Sequence, residues 1–291
     1  MNTIIISGKE AAAALNRETI ARCATLPHPP CLTAVLVGAD AAAKFYASSQ
    51  ERSAKKLGLG YLLLELPSST SQSQLHAELT RLSSDDAVAG IILLTPLPSG
   101  LSLNQAREYI DPRKDVEGIT PEALGKLAMG MDTCVAPTAK AAYLLAKDAL
   151  GVLSGVECLV AGYSDTVGKP LAFLLLNDRA TVTVARSKVR DLPALIERAE
   201  LVFACMGKPH FIKGEQLRPG STVIDVGTNE VKVPQPDGTT KTAWVGDVDT
   251  ESAIGIASAI TPVPGGVGTL TTAVLFNNLV QAAERQQGRG K

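Results

Sequence analysis

Residues that could seat a phosphate-bearing ligand stand together at Val160-Ala161-Gly162-Tyr163-Ser164-Asp165-Thr166-Val167-Gly168-Lys169-Pro170, where one apolar run ends on a glycine and another begins beyond a proline. Glycine lets a backbone approach a bulky phosphate, and the amides that open a helix favour negative charge, so the stretch could hold a dinucleotide. Its spacing is not G-x-G-x-x-G, and an ordinary strand-to-helix turn stays open as a reading. Further on, Arg186-Ser187-Lys188 follows an apolar run with no Asp or Glu to take ribose hydroxyls. Basic and hydroxyl groups there suit the 2′-phosphate of NADP, against the alternative of a solvated loop. Tyr46 and Gln50, four apart, share one face of any helix that carries them. Histidine offers little: His28, His76 and His210 stand in no ligand-like spacing with cysteine or carboxylates, which argues against a metal site.

These residues need elements to place them. An apolar strand is expected over 31–37, ending at Gly38, then a helix over 41–57 closed by Gly58. A strand over 61–66, a helix over 74–82 and a strand over 89–94, stopped by Thr95-Pro96-Leu97-Pro98, continue the alternation. The polar passage from Asp111 to Gly118 precedes an apolar helix over 138–150, and the domain change falls between them. Strands over 157–161, 181–185, 201–205 and 222–226 form the second set, with a helix over 171–176 after the glycine turn. A hairpin is expected about Asp237-Gly238, a closing helix over 270–285 and a disordered tail over 286–291. The fold class is α/β: parallel sheets with helices on both faces, whose ligands gather at the carboxyl ends of the strands.

Composition narrows the partners. The 291 residues are 45% hydrophobic, with 28 basic and 29 acidic side chains, which suits one large or two medium globular domains. Near-neutral charge without a basic run gives no footprint for nucleic acid or for a membrane surface, so a small-molecule partner is expected. Cys23, Cys31, Cys134, Cys158 and Cys205 are scattered without CxxC spacing, as in a reducing compartment. With no signal-like start and no membrane-length apolar window, the expected location is the cytoplasm.

Taken in order, Gly162-x-Ser164-x-x-Val167-Gly168-x-Pro170, Val223-Ile224-Asp225-Val226-Gly227, Val245-Gly246-Asp247-Val248-Asp249 and Pro262-Val263-Pro264-Gly265-Gly266-Val267-Gly268 resemble the methylenetetrahydrofolate dehydrogenase/cyclohydrolase family. Tyr46, Lys114-Asp115-Val116, Gly125-Lys126-Leu127 and Gly207-Lys208-Pro209 extend the likeness over essentially the whole chain. The resemblance implies a folate domain over 1–136 completed by 269–286, a Rossmann-type NAD(P) domain over 137–268, a cleft between them and a homodimer. It implies cofactor contacts at Gly162, Tyr163, Ser164, Thr166, Val167, Gly168, Arg186, Ser187, Gly207 and Thr228. Substrate contacts are implied at Tyr46, Gln50, Leu94, Thr95, Glu117, Pro264, Gly265, Gly266, Val267 and Gly268, with Tyr46 and Gln50 at the catalytic positions.

Departures from the family pattern bear on the chemistry. Where the pattern reads Tyr-x-x-x-Lys, with the lysine handling protons in hydrolysis, this chain has Gln50, and the supporting glutamine before Leu-Pro-Leu-Pro is Leu94. An amide cannot serve as a general acid or base near neutral pH, so the cyclohydrolase step is expected to be weak or absent; Leu94 also reads as a well-packed strand end. The aspartate that holds the pterin amino edge is matched by Glu117, one methylene longer, which alternatively is a solvated turn residue. Cys134-Val135-Ala136-Pro137 and Thr269-Leu270-Thr271 also depart from the pattern. Tyr163 replaces a frequent arginine and cannot pair with phosphate, which leaves NAD possible although Arg186 and Lys188 favour NADP. Hydride transfer from 5,10-methylenetetrahydrofolate needs orientation of two rings rather than a protein base, and is expected to survive. The alternatives are an oxidoreductase retuned to another pterin-like or iminium-forming substrate, and a non-catalytic NADP- or folate-binding protein.

Overall fold

The structure is a computed structural model that describes residues 2–234 and 240–288. It divides into two compact units, one made of the described residues of 1–12 and 138–271, the other of 13–137 and those of 272–291.

The unit of 13–137 is built on a parallel sheet of three strands in the order Gly60–Leu66, Cys31–Val37, Gly90–Leu93. Cys31–Val37 lies at the centre and is buried along almost its whole length, so its sequence is a continuous apolar run rather than an alternating one. The helix Ala41–Leu57 starts where the Asp40 carboxylate accepts from the Ala43 amide at 2.8 Å and stops at Gly58, whose φ of 71° most side chains avoid. Its buried stripe is Ala43, Ala47, Gln50 and Ala54, so three small residues bring the helix close to the sheet and the fourth is an amide. A reciprocal cap between Ser71 and Gln74 opens the helix Gln72–Ser84, which buries Leu75, Leu79 and Leu82. Lys114 closes it by donating to the carbonyls of Leu82 (3.3 Å) and Asp85 (2.6 Å), a structural use of a motif residue. From the helix Val267–Gln286, Leu275, Phe276, Leu279 and Val280 enter this core. Asn278 ties it down by donating to the carbonyls of Val116 (2.8 Å) and Val135 (2.9 Å).

The other unit holds a six-stranded parallel sheet in the order Ile4–Ile5, Ala259–Ile260, Thr222–Asp225, Leu201–Ala204, Glu157–Ala161, Thr181–Ala185. The helices Pro137–Leu150, Gly168–Asn177, Leu192–Arg198 and Thr250–Ala253 belong to the same alternation. A two-stranded antiparallel pair, Asn229–Pro234 with Thr240–Val245, stands outside that sheet. The turn expected at Asp237-Gly238 lies outside the described residues.

Sequence periodicity gives no signal for the start of the chain. Ile4–Ile5 is too short to show a pattern, and the helix Gly8–Cys23 buries only Gly8, Ala12 and Thr19. The expected tail also begins later than 286: Gln286 closes the last helix and donates to the carbonyls of Ala89 (2.8 Å) and Arg113 (3.1 Å). Residues 289–291 lie outside the described residues. None of the five cysteines is in a disulfide. Among the described residues no helix is long and apolar enough to cross a membrane, and no group of three or more His, Cys, Asp or Glu is placed to hold a metal ion.

Candidate functional site

Three neighbouring strands, Glu157–Ala161, Thr181–Ala185 and Leu201–Ala204, end at one edge, and the residues that follow them enclose a cavity of about 430 Å³. The glycine turn is dictated by packing. Gly162 has φ 136°, and a Cβ there would lie 2.2 Å from the Cys205 carbonyl oxygen; one on Gly168 would lie 2.3 Å from that of Gly162. Ser164 sets the entry to the helix Gly168–Asn177 by accepting from the Val167 amide at 3.1 Å.

Gly162, Tyr163, Ser164, Arg186 and Ser187 line this cavity. Thr166, Val167, Gly168 and Gly207 do not line it; Val167 and Gly168 shape the turn behind it. Gly207, at φ 65°, lies between the lining residues Met206 and Lys208, and its amide is committed to Asp247 at 3.0 Å. Val189, Leu192, Met206, Lys208 and Phe211 complete the wall, and no acidic side chain is among the described residues that line it. Tyr163 carries two cations: the Arg186 guanidinium carbon and the Lys169 ammonium each lie 5.0 Å from its ring centroid. Lys169 is paired with Asp165, so Arg186 is the cation that the ring steadies at the cavity wall. A basic side chain beside a glycine turn, without a carboxylate to claim ribose hydroxyls, fits a 2′-phosphorylated dinucleotide.

A second cavity of about 230 Å³ lies at the end of the adjoining strand Thr222–Asp225. Its lining brings Thr228 together with Pro264, Gly265, Gly266, Val267 and Gly268, all in the unit of 138–271, and adds Trp244, which the sequence patterns did not single out. Two buried aspartates fix the loops around both cavities. Asp225 accepts from the amides of Gly227 (3.0 Å), Asp247 (3.0 Å) and Val248 (2.8 Å), and burial pushes its carboxyl up to about 7. Asp247 accepts from the amides of Gly207 and Lys208 (2.7 Å) and from the Asn229 side chain (2.9 Å). Both sit in the Val-Ile-Asp-Val-Gly and Val-Gly-Asp-Val-Asp runs, whose anchoring role only the folded contacts reveal.

In the unit of 13–137 a third cavity, about 290 Å³, is lined by Tyr46, Leu94, Thr95 and Glu117 with Ala42, Ala43, Ile92 and Leu93. Glu117 is no solvated turn residue. Half-buried, it accepts from the Leu93 amide at 3.3 Å, and burial, with Asp115 nearby, pushes its carboxyl up to about 8. Asp115 is buried too, its carboxyl also raised by burial, and accepts from the Thr120 amide at 2.8 Å.

Tyr46 remains 40% exposed, its hydroxyl raised by burial, while the nearby Gln50 amide favours the phenolate. Gln50 itself is not part of the cavity wall. It is fully buried, its carbonyl oxygen accepts from the Tyr61 hydroxyl at 3.0 Å, and its side chain lies beside the Tyr46 hydroxyl. Leu94 packs with Ala43 and Ala47 in the core beneath the cavity. Glu117 is the titratable carboxyl that lines this cavity, whereas positions 50 and 94 carry no titratable group.

The family model described as the tetrahydrofolate dehydrogenase/cyclohydrolase catalytic domain matches residues 6–117, and that of the tetrahydrofolate dehydrogenase/cyclohydrolase NAD(P)-binding domain matches 136–287. The chain is 43% identical over 295 residues to the bifunctional protein FolD of Rhodopseudomonas palustris, covering 100% of this chain and 99% of that one. The structure is similar to that of bifunctional FolD methylenetetrahydrofolate dehydrogenase/cyclohydrolase from Campylobacter jejuni, with TM-score 0.90, 31% identity and coverage of 98% and 99%. It is equally similar to the Trypanosoma brucei FolD complexed with NADP cofactor and inhibitor, with TM-score 0.90, 30% identity and 99% of each chain covered.

Proposed function

The chain belongs to the tetrahydrofolate dehydrogenase/cyclohydrolase family, and on that premise we propose that it is an NADP-dependent methylenetetrahydrofolate dehydrogenase whose methenyl cyclohydrolase step is weak or absent. The observation that carries this reading is the contrast between a complete basic cavity at the glycine turn and Gln50 sealed against Tyr61. Bound NADP supplies the oxidant, accepting a hydride from the one-carbon bridge of the folate.

The chain's own residues bind and orient. Tyr46 offers a ring face for stacking, and Glu117 a carboxylate for the donor edge of a pterin. Thr95 and the apolar Leu94 bound the same cavity. Arg186, steadied by Tyr163, and Ser187 meet the 2′-phosphate, and the glycine turn approaches the pyrophosphate. Thr228 borders the remaining part of the dinucleotide, and the loop from Pro264 to Gly268, a substrate position by resemblance, lines the same cavity. The folate nitrogens stabilise the methenyl cation, so this oxidation asks the protein for proximity and orientation alone. Hydrolysis of that cation asks more, because water must lose a proton as it attacks. A buried amide bonded to a tyrosine hydroxyl offers no such proton path.

Purified protein given methylenetetrahydrofolate should reduce NADP faster than NAD. Arg186→Ala should raise KM for NADP roughly tenfold, in line with a charge-assisted contact of about 1.5 kcal/mol, and change that for NAD by less than twofold. Absence of turnover with either cofactor, while NADP still binds, would move the assignment to another pterin-like substrate, which the longer Glu117 side chain favours. A homodimer and a cytoplasmic location complete the proposal. The outer edge of Thr181–Ala185, which pairs with no further strand among the described residues, supports the first and the cysteines outside any disulfide the second; light scattering of the purified protein tests the dimer.

A further inference from the structure

Trp244 is half exposed on the strand Thr240–Val245, opposite Glu230 in the antiparallel pair. Its neighbours in that strand, Ala243 and Val245, are the less exposed residues, so strand alternation turns the indole outward. A large exposed aromatic in a strand pair apart from the main sheet packs little of its own unit. It nevertheless forms a wall of the second cavity, facing Thr228 and the Pro262 to Thr269 loop.

The position of this cavity identifies its occupant. Both it and the cavity at the glycine turn lie along the carboxyl edge of one sheet in one unit, the first after Glu157–Ala161 and Thr181–Ala185, the second after Thr222–Asp225. A dinucleotide lies across that edge with its two halves over different strands. The basic residues of the first cavity claim the phosphorylated adenosine half, which leaves the nicotinamide half for the second. At about 230 Å³ the second cavity is smaller than the ~300–1,000 Å³ of pockets that enclose whole small molecules, and so suits one ring and its sugar. Asp225 borders it with both carboxylate oxygens engaged by backbone amides, leaving the indole as the large recognition surface.

We propose that Trp244 is a stacking platform for the nicotinamide ring, a binding and orienting residue on the cofactor side of the reaction. The inference rests on the NADP reading above. The oxidised nicotinamide is a cation, and an indole face is the aromatic surface that attracts a cation best, so Trp244 favours NADP+ over NADPH. A ring held on one face presents the other to the hydride donor, which makes Trp244 a determinant of orientation as well as affinity.

Trp244 is the single tryptophan of the chain, so intrinsic fluorescence reports on this wall alone. NADP+ titrated into the intact protein should quench Trp244 emission along the binding isotherm measured by calorimetry. The half-ligand 2′,5′-ADP should bind and leave the emission unchanged. Trp244→Ala should weaken NADP+ roughly 2- to 10-fold, more than it weakens NADPH, and leave 2′,5′-ADP binding unaltered, while Trp244→Phe retains most of the affinity. Binding of NADP+ with unaltered Trp244 emission, or equal quenching by 2′,5′-ADP, would overturn the inference and leave the dehydrogenase assignment standing. Failure of NADP+ to bind in the calorimeter would overturn both.

Discussion

At the scale of single residues, the substrate-side cavity separates two properties that sequence alone runs together: the type of a side chain and its access to a ligand. Glu117 has both. Its carboxyl is raised from the ordinary value of 4.5 to about 8, so it is largely protonated near neutrality. A pterin edge that donates two N–H groups binds the ionised form, and KM for the folate should therefore fall as pH rises toward 8. Glu117→Gln should abolish that slope; a slope that persists in the variant would assign it to another group. The folding linkage has the opposite sense. A raised carboxyl contributes stability that is fully present below pH about 4.5 and is lost as pH rises through about 8. Gln50, by contrast, has a type that invites a role and a burial that denies it access. Gln50→Lys alone should destabilise the fold by about 2 kcal/mol or more, because an ammonium would replace an amide with no exposure. Adding Leu94→Gln supplies a polar neighbour and should recover part of both the stability and the hydrolytic rate. Thermal melts and a methenyl hydrolysis assay on the single and double variants check the pair.

At the scale of elements, the loops at the carboxyl edge are held by aspartates rather than by their own sequence. Asp247→Ala would leave the amides of Met206, Gly207 and Lys208 without their shared acceptor. At about 1–3 kcal/mol for each group left unsatisfied, the loss should reach at least about 3 kcal/mol and weaken NADP as the wall at Met206 and Lys208 relaxes. Calorimetric unfolding and an NADP titration measure both; a variant with unchanged cofactor affinity would show that the loop holds without its anchor. Much of the element pattern was legible beforehand. The strands over 31–37, 157–161 and 181–185 and the helix over 41–57 match because buried parallel strands and capped helices write their limits as apolar runs, Asp40 and Gly58. Ile4–Ile5 and Gly8–Cys23 were not legible, since neither gathers apolar residues in a periodic way. Trp244 escaped notice for a related reason: only the fold brings that strand pair against the Pro262 to Thr269 loop. The burial of Gln50 was hidden as well, because helix spacing groups it with the exposed Tyr46 while its burial groups it with Ala43, Ala47 and Ala54.

At the scale of the whole molecule, each unit has its own core and its own cavities. The unit of 138–271 has the more regular design, with parallel strands of short apolar sequence and a dinucleotide edge close to the family pattern. The unit of 13–137 holds the parallel sheet and the Tyr46 cavity, with a buried amide at position 50 and a core leucine at position 94. On the proposed reading, oxidation of the folate would survive this arrangement because it draws on binding and orientation, and hydrolysis would not because it draws on proton transfer. The most direct measurement of this account compares two rates on one preparation: NADP reduction with methylenetetrahydrofolate, and consumption of methenyltetrahydrofolate above its spontaneous hydrolysis. The account predicts steady dehydrogenase turnover with hydrolysis indistinguishable from the spontaneous rate. Enzymatic hydrolysis as fast as the dehydrogenase step would contradict it.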